Sequence, residues 1–209
     1  MYGKDQDGQE FGVGICQWTV VGGNDYLSGF LNGIYKKDSS FCSVLQPFLN
    51  YTAAQYFEHH DDLKEAFAEM SQVDREYLIQ LEMEYAVEEK SNICKQYGYA
   101  WLLDRPGAVV GTVFSLINYG PGNFTNGMAA RGITEGMSDE DIIMNVCAYE
   151  ASLNGTAGAV YGPRSESQAR VAIDILHGKV DAEKFVRKGI TGSFLKYANG
   201  ANPGYLNGY

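Results

Sequence analysis

Residues 2–19 read YGKDQDGQEFGVGICQWT, and this stretch decides how the chain begins. Glycines and polar turn residues surround the more apolar run Phe11–Val21, and Asp7-Gly8 is a typical turn signal. The pattern predicts a β-hairpin or small sheet over residues 1–23. Beyond it, apolar residues recur at helical spacing. The sequence therefore predicts an α+β, mainly helical fold: a small N-terminal hairpin sheet packed beside a helical lobe, with a cleft between them.

The predicted helical lobe contains one segment without a polar stripe. Ala108–Ile117 is apolar almost all round, so we expect it to be a buried central helix. It runs into Asn118–Asn123, whose Gly and Pro residues predict a turn into the cleft wall. Capping residues and apolar periodicity predict further helices that begin near Asn24, Ser39 or Ser40, Thr52, Ser71, Ser138 and Pro163.

The longest of these predicted helices starts near Ser71. Its apolar residues recur every four positions, and its acidic residues are expected to form the solvent-facing side: Glu76, Glu82, Glu84, Glu88 and Glu89. No linker or internal repeat interrupts the chain. We therefore expect one domain over residues 1–196, divided into the hairpin sheet (1–23) and the helical lobe (24–196), and followed by a loosely ordered tail over 197–209.

Composition and charge exclude several classes of function. The chain has 209 residues, 45% of them hydrophobic and 20% charged, which is typical of a globular protein. Its net charge of -10 opposes binding to nucleic acid or to an anionic membrane surface. It lacks an apolar run long enough for membrane insertion and a signal peptide at its start. The four cysteines are far apart, which favours reduced, mostly buried thiols.

Candidate catalytic residues concentrate in the hairpin. Glu10, Asp5 and Asp7 are three carboxylates on one short segment, and glycoside hydrolysis needs such a pair, one acid and one base or stabiliser. Gln17 and Trp18 follow at once, and an amide and a flat ring are groups that grip sugars. We expect Asp5 and Glu10 to face one cleft, with Gln17 directed into it and Trp18 partly exposed or at its floor. The competing interpretation is a glycine-rich hairpin whose acids are simply solvated.

These motifs resemble the lysozyme superfamily, in the branch of phage lysozymes, chitosanases and phage-tail muramidases. Lys4–Gly8 and Gly12–Gly14 match the Lys-Asp-x-x-Gly and Gly-x-Gly hairpin of phage-type lysozymes, with the interval one residue shorter. Gly14–Thr19 is similar to a Gln-Trp pattern in tail-associated muramidases. Further along, Val113–Gly120 resembles a buried helix that ends in an Asn-x-Gly cleft turn, and Tyr161–Arg164 resembles a Tyr-x-x-Arg helix start. The resemblance extends over about residues 2–178.

The resemblance implies specific roles and also contains one departure. Asp5 best matches the hairpin aspartate that positions water or stabilises charge, and Asp7 is second. The general-acid glutamate of the family lies on a helix before the hairpin, and here it would fall before Met1. Three interpretations compete: the chain is a segment of a larger protein, Glu10 has taken over the acid role, or the lysozyme-like domain no longer cleaves. The implied substrate-binding residues are Gln17, Trp18, Thr19, Asn118, Tyr119 and Arg164.

Other chemistries have weaker support. The run His59–Asp62 offers metal-capable atoms, but neighbouring helical residues point about 100° apart and do not converge. We expect no metal site and no cofactor. No GxSxG or dinucleotide fingerprint occurs, and a peptidase or amidase would need a site that the sequence does not assemble.

The sequence therefore predicts a peptidoglycan-degrading, muramidase-like glycoside hydrolase, either a phage endolysin or a tail-associated lysozyme. The expected partners are peptidoglycan or a related amino-sugar polymer and phage tail proteins. The expected locations are the virion tail or the host cytoplasm before release. The alternative is a catalytically inactive lysozyme-fold component of a phage tail, with a structural or glycan-binding role.

Overall fold

The computed structural model describes residues 3–4, 11–14, 16, 18–21, 24–153 and 158–180. These residues are mainly helical with one small antiparallel sheet, which confirms the coarse fold class. The sheet has strand order β1-β2-β3-β4, with each strand antiparallel to the next. Its strands are β1 (Gly3–Lys4), β2 (Phe11–Val13), β3 (Trp18–Val21) and β4 (Asn24–Asp25).

The described helices follow the sheet along the chain. The α-helices are α1 (Tyr26–Lys37), α2 (Ala53–Glu58), α3 (His60–Gln96), α4 (Gly107–Ile117), α5 (Pro121–Ala130), α6 (Asp139–Ser152) and α7 (Gly158–Leu176). Two 3-10 helices cover Ser43–Phe48 and Ala100–Asp104. Within the described ranges, no helix combines the length and apolar character that crossing a bilayer requires.

The chain divides into two compact units, Met1–Glu89 and Lys90–Tyr209, and the division falls inside α3. The sequence analysis instead placed its main division near residue 23, between hairpin and helical lobe. Each unit has a hydrophobic core of its own. The prediction of one folding domain over residues 1–196 stays a prediction, because its C-terminal boundary lies outside the described residues.

In the first unit, the sheet packs on α1 through residues that the sequence marked as apolar. Leu27, Phe30, Leu31 and Ile34 are all buried, as their helical spacing predicts. Asn24 was expected to cap this helix, but it lies in β4, and the helix begins at Tyr26. The cap predicted at Thr52 is confirmed, since Thr52 and Gln55 form a reciprocal capping box at the start of α2.

Helix α3 is interrupted once, at Asp74. The backbone there is extended (φ −157°, ψ 98°), and the Asp74 carboxylate accepts a hydrogen bond from the Tyr77 amide at 3.0 Å. Asp74 thus caps the second half of the helix, three residues after the predicted start at Ser71. Val73, expected on the apolar stripe, is 74% exposed because it precedes this interruption.

In the second unit, α4 packs against α5, α6 and α7, which confirms a central helix over the predicted residues. Burial within the predicted segment Ala108–Ile117 is extensive but uneven: Gly111 is its one exposed residue, and Phe114 is half-buried. Gly107 and Asn118, the residues on either side of this segment, are exposed. Glycines add almost no apolar surface, so this face can meet solvent at little cost. The fully buried phenylalanine of this core is Phe124.

The segment after α4 is shorter than the predicted turn. Gly120 adopts φ +100°, a conformation that favours glycine, and α5 starts at the next residue, Pro121. The predicted cap at Ser138 is confirmed, since its hydroxyl accepts from the Asp141 amide at 3.2 Å. Helix α7 begins at Gly158, five residues before the predicted start at Pro163.

Candidate functional site around Trp18 and the second half of helix α3

The predicted catalytic residues Glu10, Asp5 and Asp7, and the predicted sugar-binding Gln17, lie outside the described residues. Their placement in one cleft stays a prediction. The strands on either side of this segment are described. Lys4 pairs with Phe11 and Gly3 with Gly12, in the antiparallel arrangement expected of the predicted hairpin.

Trp18 is placed differently from the prediction. Its side chain is 4% exposed, so the expected partial exposure is wrong. The indole ring stacks on Phe30 of α1 with ring centroids 3.8 Å apart and planes within 5° of parallel. Tyr85 of α3 meets the same ring edge-on at 5.6 Å. Aromatic contacts of this kind stabilise a core beyond the area they bury, by about 0.5–1.5 kcal/mol each. Trp18 is therefore a core residue of the first unit.

The polar edge of this buried indole meets a carboxylate. Trp18 Nε1 donates a hydrogen bond to Glu89 Oε2 at 3.1 Å. A buried indole N–H requires an acceptor, and a hydrogen bond to a charged group contributes about 1.5–3 kcal/mol. Burial, together with the nearby Glu89 carboxylate, raises the pKa of Tyr85 well above its usual value. Glu89 is thus tied by a hydrogen bond to the indole of Trp18.

A second carboxylate lies beneath the turn that joins β2 to β3. Glu82 is 4% exposed, and its Oε2 would lie 3.2 Å from a Cβ built on Gly14. The same Cβ would lie 2.8 Å from the indole ring of Trp18. Gly14 also has φ +75°, a conformation that side-chain-bearing residues rarely adopt. The turn therefore needs glycine both for its backbone and for this close approach.

The sequence analysis had assigned Glu82 and Glu89 to the solvent-facing side of the helix, and for Glu82 this was wrong. The positions of Glu82 and Glu89 relative to the apolar residues of the helix indicate that both lie on its buried face. Leu78, Leu81 and Ala86 are buried at positions that share one helical face with residues 82, 85 and 89. Interpreted as a single stripe, this face contains two carboxylates among apolar residues. The predicted solvent-facing position is confirmed for Glu76, Glu84 and Glu88, which are exposed.

The remaining predicted binding residues belong to both compact units. Thr19 is half-buried in β3 and pairs with Gly12. Asn118 is exposed, and Tyr119 is half-buried, with its carbonyl accepting a hydrogen bond from Asn123 Nδ2 at 2.6 Å. Arg164 belongs to α7, and its side chain lies outside the described residues. Thr19 lies in the first compact unit and the other three in the second.

Two histidines that could bind a metal contact neighbouring residues, and two cysteines that could act as nucleophiles are buried. His59 Nδ1 lies 2.9 Å from Asp62 Oδ2, and His60 Nδ1 lies 2.9 Å from the Phe57 carbonyl oxygen. Over the described ranges, no three His, Cys, Asp or Glu side chains converge as metal ligands would. Burial raises the pKa of the Cys42 and Cys94 thiols to about 11 each, which leaves them protonated and unreactive at neutral pH.

The described geometry therefore consists of an aromatic cluster that attaches strand β3 to α1 and α3, with two glutamates at its edges. Both glutamates occupy the interior face of the first unit. Comparison of the chain with protein-family models, with curated proteins and with solved structures found no match.

Proposed function

We propose that this chain binds and cleaves a β-1,4-linked amino-sugar polymer, most plausibly peptidoglycan, with a lysozyme-like domain. The observation that carries the proposal is the register of the first strand pair. Lys4 pairs with Phe11, and the segment between these two residues contains all three candidate carboxylates. Asp5 directly follows the last paired residue of β1, and Glu10 directly precedes the first paired residue of β2.

In the proposed reaction, one carboxylic acid protonates the glycosidic oxygen, and a second carboxylate positions water or stabilises the oxocarbenium-like transition state. Glycosidases place these two groups about 5–9.5 Å apart. We assign the acid to Glu10 and the stabilising carboxylate to Asp5, with Asp7 as its alternative.

The contacts of Trp18 change how the substrate would be held. Its ring is covered by Phe30 and Tyr85, so it does not offer a face to a sugar. We assign it the role of anchoring the sheet and retain Gln17, its neighbour in sequence, as the polar contact to the glycan. This division lets a rigid strand support the neighbouring residue that contacts the substrate.

The test is hydrolysis of purified cell walls by the full chain, followed by turbidity and by reducing ends released. We expect Glu10→Gln and Asp5→Asn each to lower the rate at least 100-fold without lowering the melting temperature. Glu84→Gln is the matched control. Glu84 is exposed on α3, and its replacement by glutamine likewise removes one negative charge. Wild-type levels of activity in both hairpin variants would refute the catalytic assignment.

One observation favours a second function, a lysozyme-fold structural or glycan-binding component of a phage tail without catalysis. Glu82 lies close to the sheet residue Gly14, and Glu89 accepts a hydrogen bond from Trp18. One of them is buried and the other accepts from the indole, so neither is placed to protonate a glycan. Co-sedimentation with insoluble peptidoglycan distinguishes the two functions. Binding without release of reducing ends by the wild-type chain would favour the structural component, with tail proteins as its partners.

A further inference from the structure

We propose that Glu89 is a positioning residue for the N-terminal hairpin, which it fixes through the indole of Trp18. This inference deepens the proposed function and rests on it. Its basis is that the Trp18–Glu89 hydrogen bond joins residues 71 positions apart and ties strand β3 directly to helix α3.

The contacts around Trp18 are of two kinds. The stack on Phe30 and the edge contact with Tyr85 bury the ring, but dispersion contacts tolerate sliding and rotation of the ring within its plane. The hydrogen bond from Nε1 is directional and weakens steeply when donor and acceptor are misaligned. The hydrogen bond to Glu89 therefore adds a directional restraint on the indole to the restraint that packing provides.

The acceptor lies on the same helix as a residue of the aromatic cluster. Tyr85, one turn before Glu89 on α3, packs its ring against both Trp18 and Phe30. By contrast, Glu84 on the same helix is exposed and accepts only from the Gln80 side chain at 2.9 Å among its described hydrogen bonds.

The orientation of Trp18 passes to the hairpin through strand pairing. Trp18 pairs with Val13, and Phe11 on the same strand pairs with Lys4 of β1. Gly14 brings the turn so close to the indole that a shift of the ring must displace the turn. A displaced indole would therefore strain the pairing of β2 with β3, and through β2 the pairing with β1.

The test compares variants of the full chain at saturating and limiting cell-wall substrate. We expect Glu89→Leu to lower kcat at least tenfold with KM within twofold, because the strands that flank the proposed catalytic residues lose a support. Glu89→Gln retains an acceptor oxygen and should restore kcat to within about threefold of wild type. Glu84→Leu is the matched control and should keep both constants. Equal kcat in Glu89→Leu and Glu84→Leu, per folded protein, would overturn the proposal.

Trp18→Phe provides an independent variant if Glu89→Leu does not fold, since it removes the donor and retains an aromatic ring. Its loss of kcat should equal that of Glu89→Leu, and the double variant should be no worse than either single one. Losses that multiply would mean that the two residues act separately, which would overturn the proposal.

Amide hydrogen exchange of β2 and β3 separates this inference from the proposed function. We expect exchange there to rise at least tenfold in Glu89→Leu and in Trp18→Phe, while α1 and the control variant stay at wild-type rates. Wild-type exchange in both variants overturns the positioning role whether or not the chain hydrolyses cell walls. If the wild-type chain does not hydrolyse cell walls, the proposed hydrolase function is refuted. The exchange rates still decide whether Glu89 positions the hairpin.

Discussion

Replacing Gly33 by alanine tests the packing of α1 against Tyr85. In an ordinary helix position, glycine to alanine stabilises by about 0.5–1 kcal/mol, because alanine loses less backbone entropy on folding. At Gly33 the added Cβ would overlap the Tyr85 ring. That ring cannot move freely, because it packs on Trp18 and Phe30.

The expected magnitude follows from these two opposing effects. Overpacking of a well-filled core costs about 1–3 kcal/mol, which exceeds the gain in helix propensity. We therefore expect Gly33→Ala to lower the free energy of unfolding by about 1–2 kcal/mol. Gly29, one turn earlier on the same helix, is the matched control. A Cβ there would lie 3.4 Å from the Tyr85 hydroxyl oxygen, an ordinary contact, so Gly29→Ala should be neutral or stabilising.

Urea unfolding followed by far-ultraviolet circular dichroism measures both variants, with the midpoint interpreted at a constant m value. Repeating the Gly33→Ala substitution in a Tyr85→Ala background should remove most of its cost, since the clashing ring is absent. A Gly33→Ala variant as stable as Gly29→Ala, or a cost that persists without the Tyr85 ring, would refute the packing described around Trp18.

Three further predictions concern other parts of the chain. Phe124→Ala should cost about 3–5 kcal/mol in urea unfolding and Phe114→Ala clearly less, because only Phe124 is fully buried; equal costs would contradict the described core. Hydrogen bonds from two backbone amides and a tyrosine hydroxyl lower the pKa of Asp38, so its contribution to stability is present above about pH 4 and is lost as pH falls further. In unfolding measured from pH 7 to pH 2, Asp38→Asn should show a smaller acid-dependent loss than wild type, and an unchanged loss would exclude this role. In native protein at pH 8, a thiol reagent should modify the half-buried Cys16 first and Cys42 only slowly, because Cys42 is buried and burial raises its pKa to about 11; mass spectrometry of the modified peptides would show the reverse order if this is wrong.

Local sequence rules predicted several parts of the structure correctly. The start of α2 at Thr52 and of α6 at Ser138 followed from a side-chain oxygen placed to accept from the first helical amides. The apolar spacing of α1 and the long apolar run of α4 predicted both helices. These features depend on residues within a few positions of one another, which is why the sequence alone determines them. Helix α5 was missed, although Pro121 directly after a glycine with positive φ is a recognisable start.

The candidate catalytic residues came from motif resemblance and composition alone. The hairpin was predictable because turn residues around a more apolar run are local signals, and the pairing of β1 with β2 agrees with it. The catalytic use of Asp5, Asp7 and Glu10 remains a proposal for the experiments above, since these residues lie outside the described part of the chain.

The positions of Trp18, Glu82 and Glu89 were decided only by the tertiary structure. A tryptophan next to Gln17 has the same local signature whether it stacks on a sugar or on a phenylalanine, and a glutamate on a long helix usually faces water. The packing of β3 against α3, two segments far apart in the sequence, determined where these side chains lie. It covered the indole of Trp18 and supplied its N–H with a carboxylate acceptor. The sequence by itself determined which segments become strands and helices, because those choices depend on neighbouring residues. Which side chains become interior depends on the distant segment that packs against them, and only the folded chain determines that.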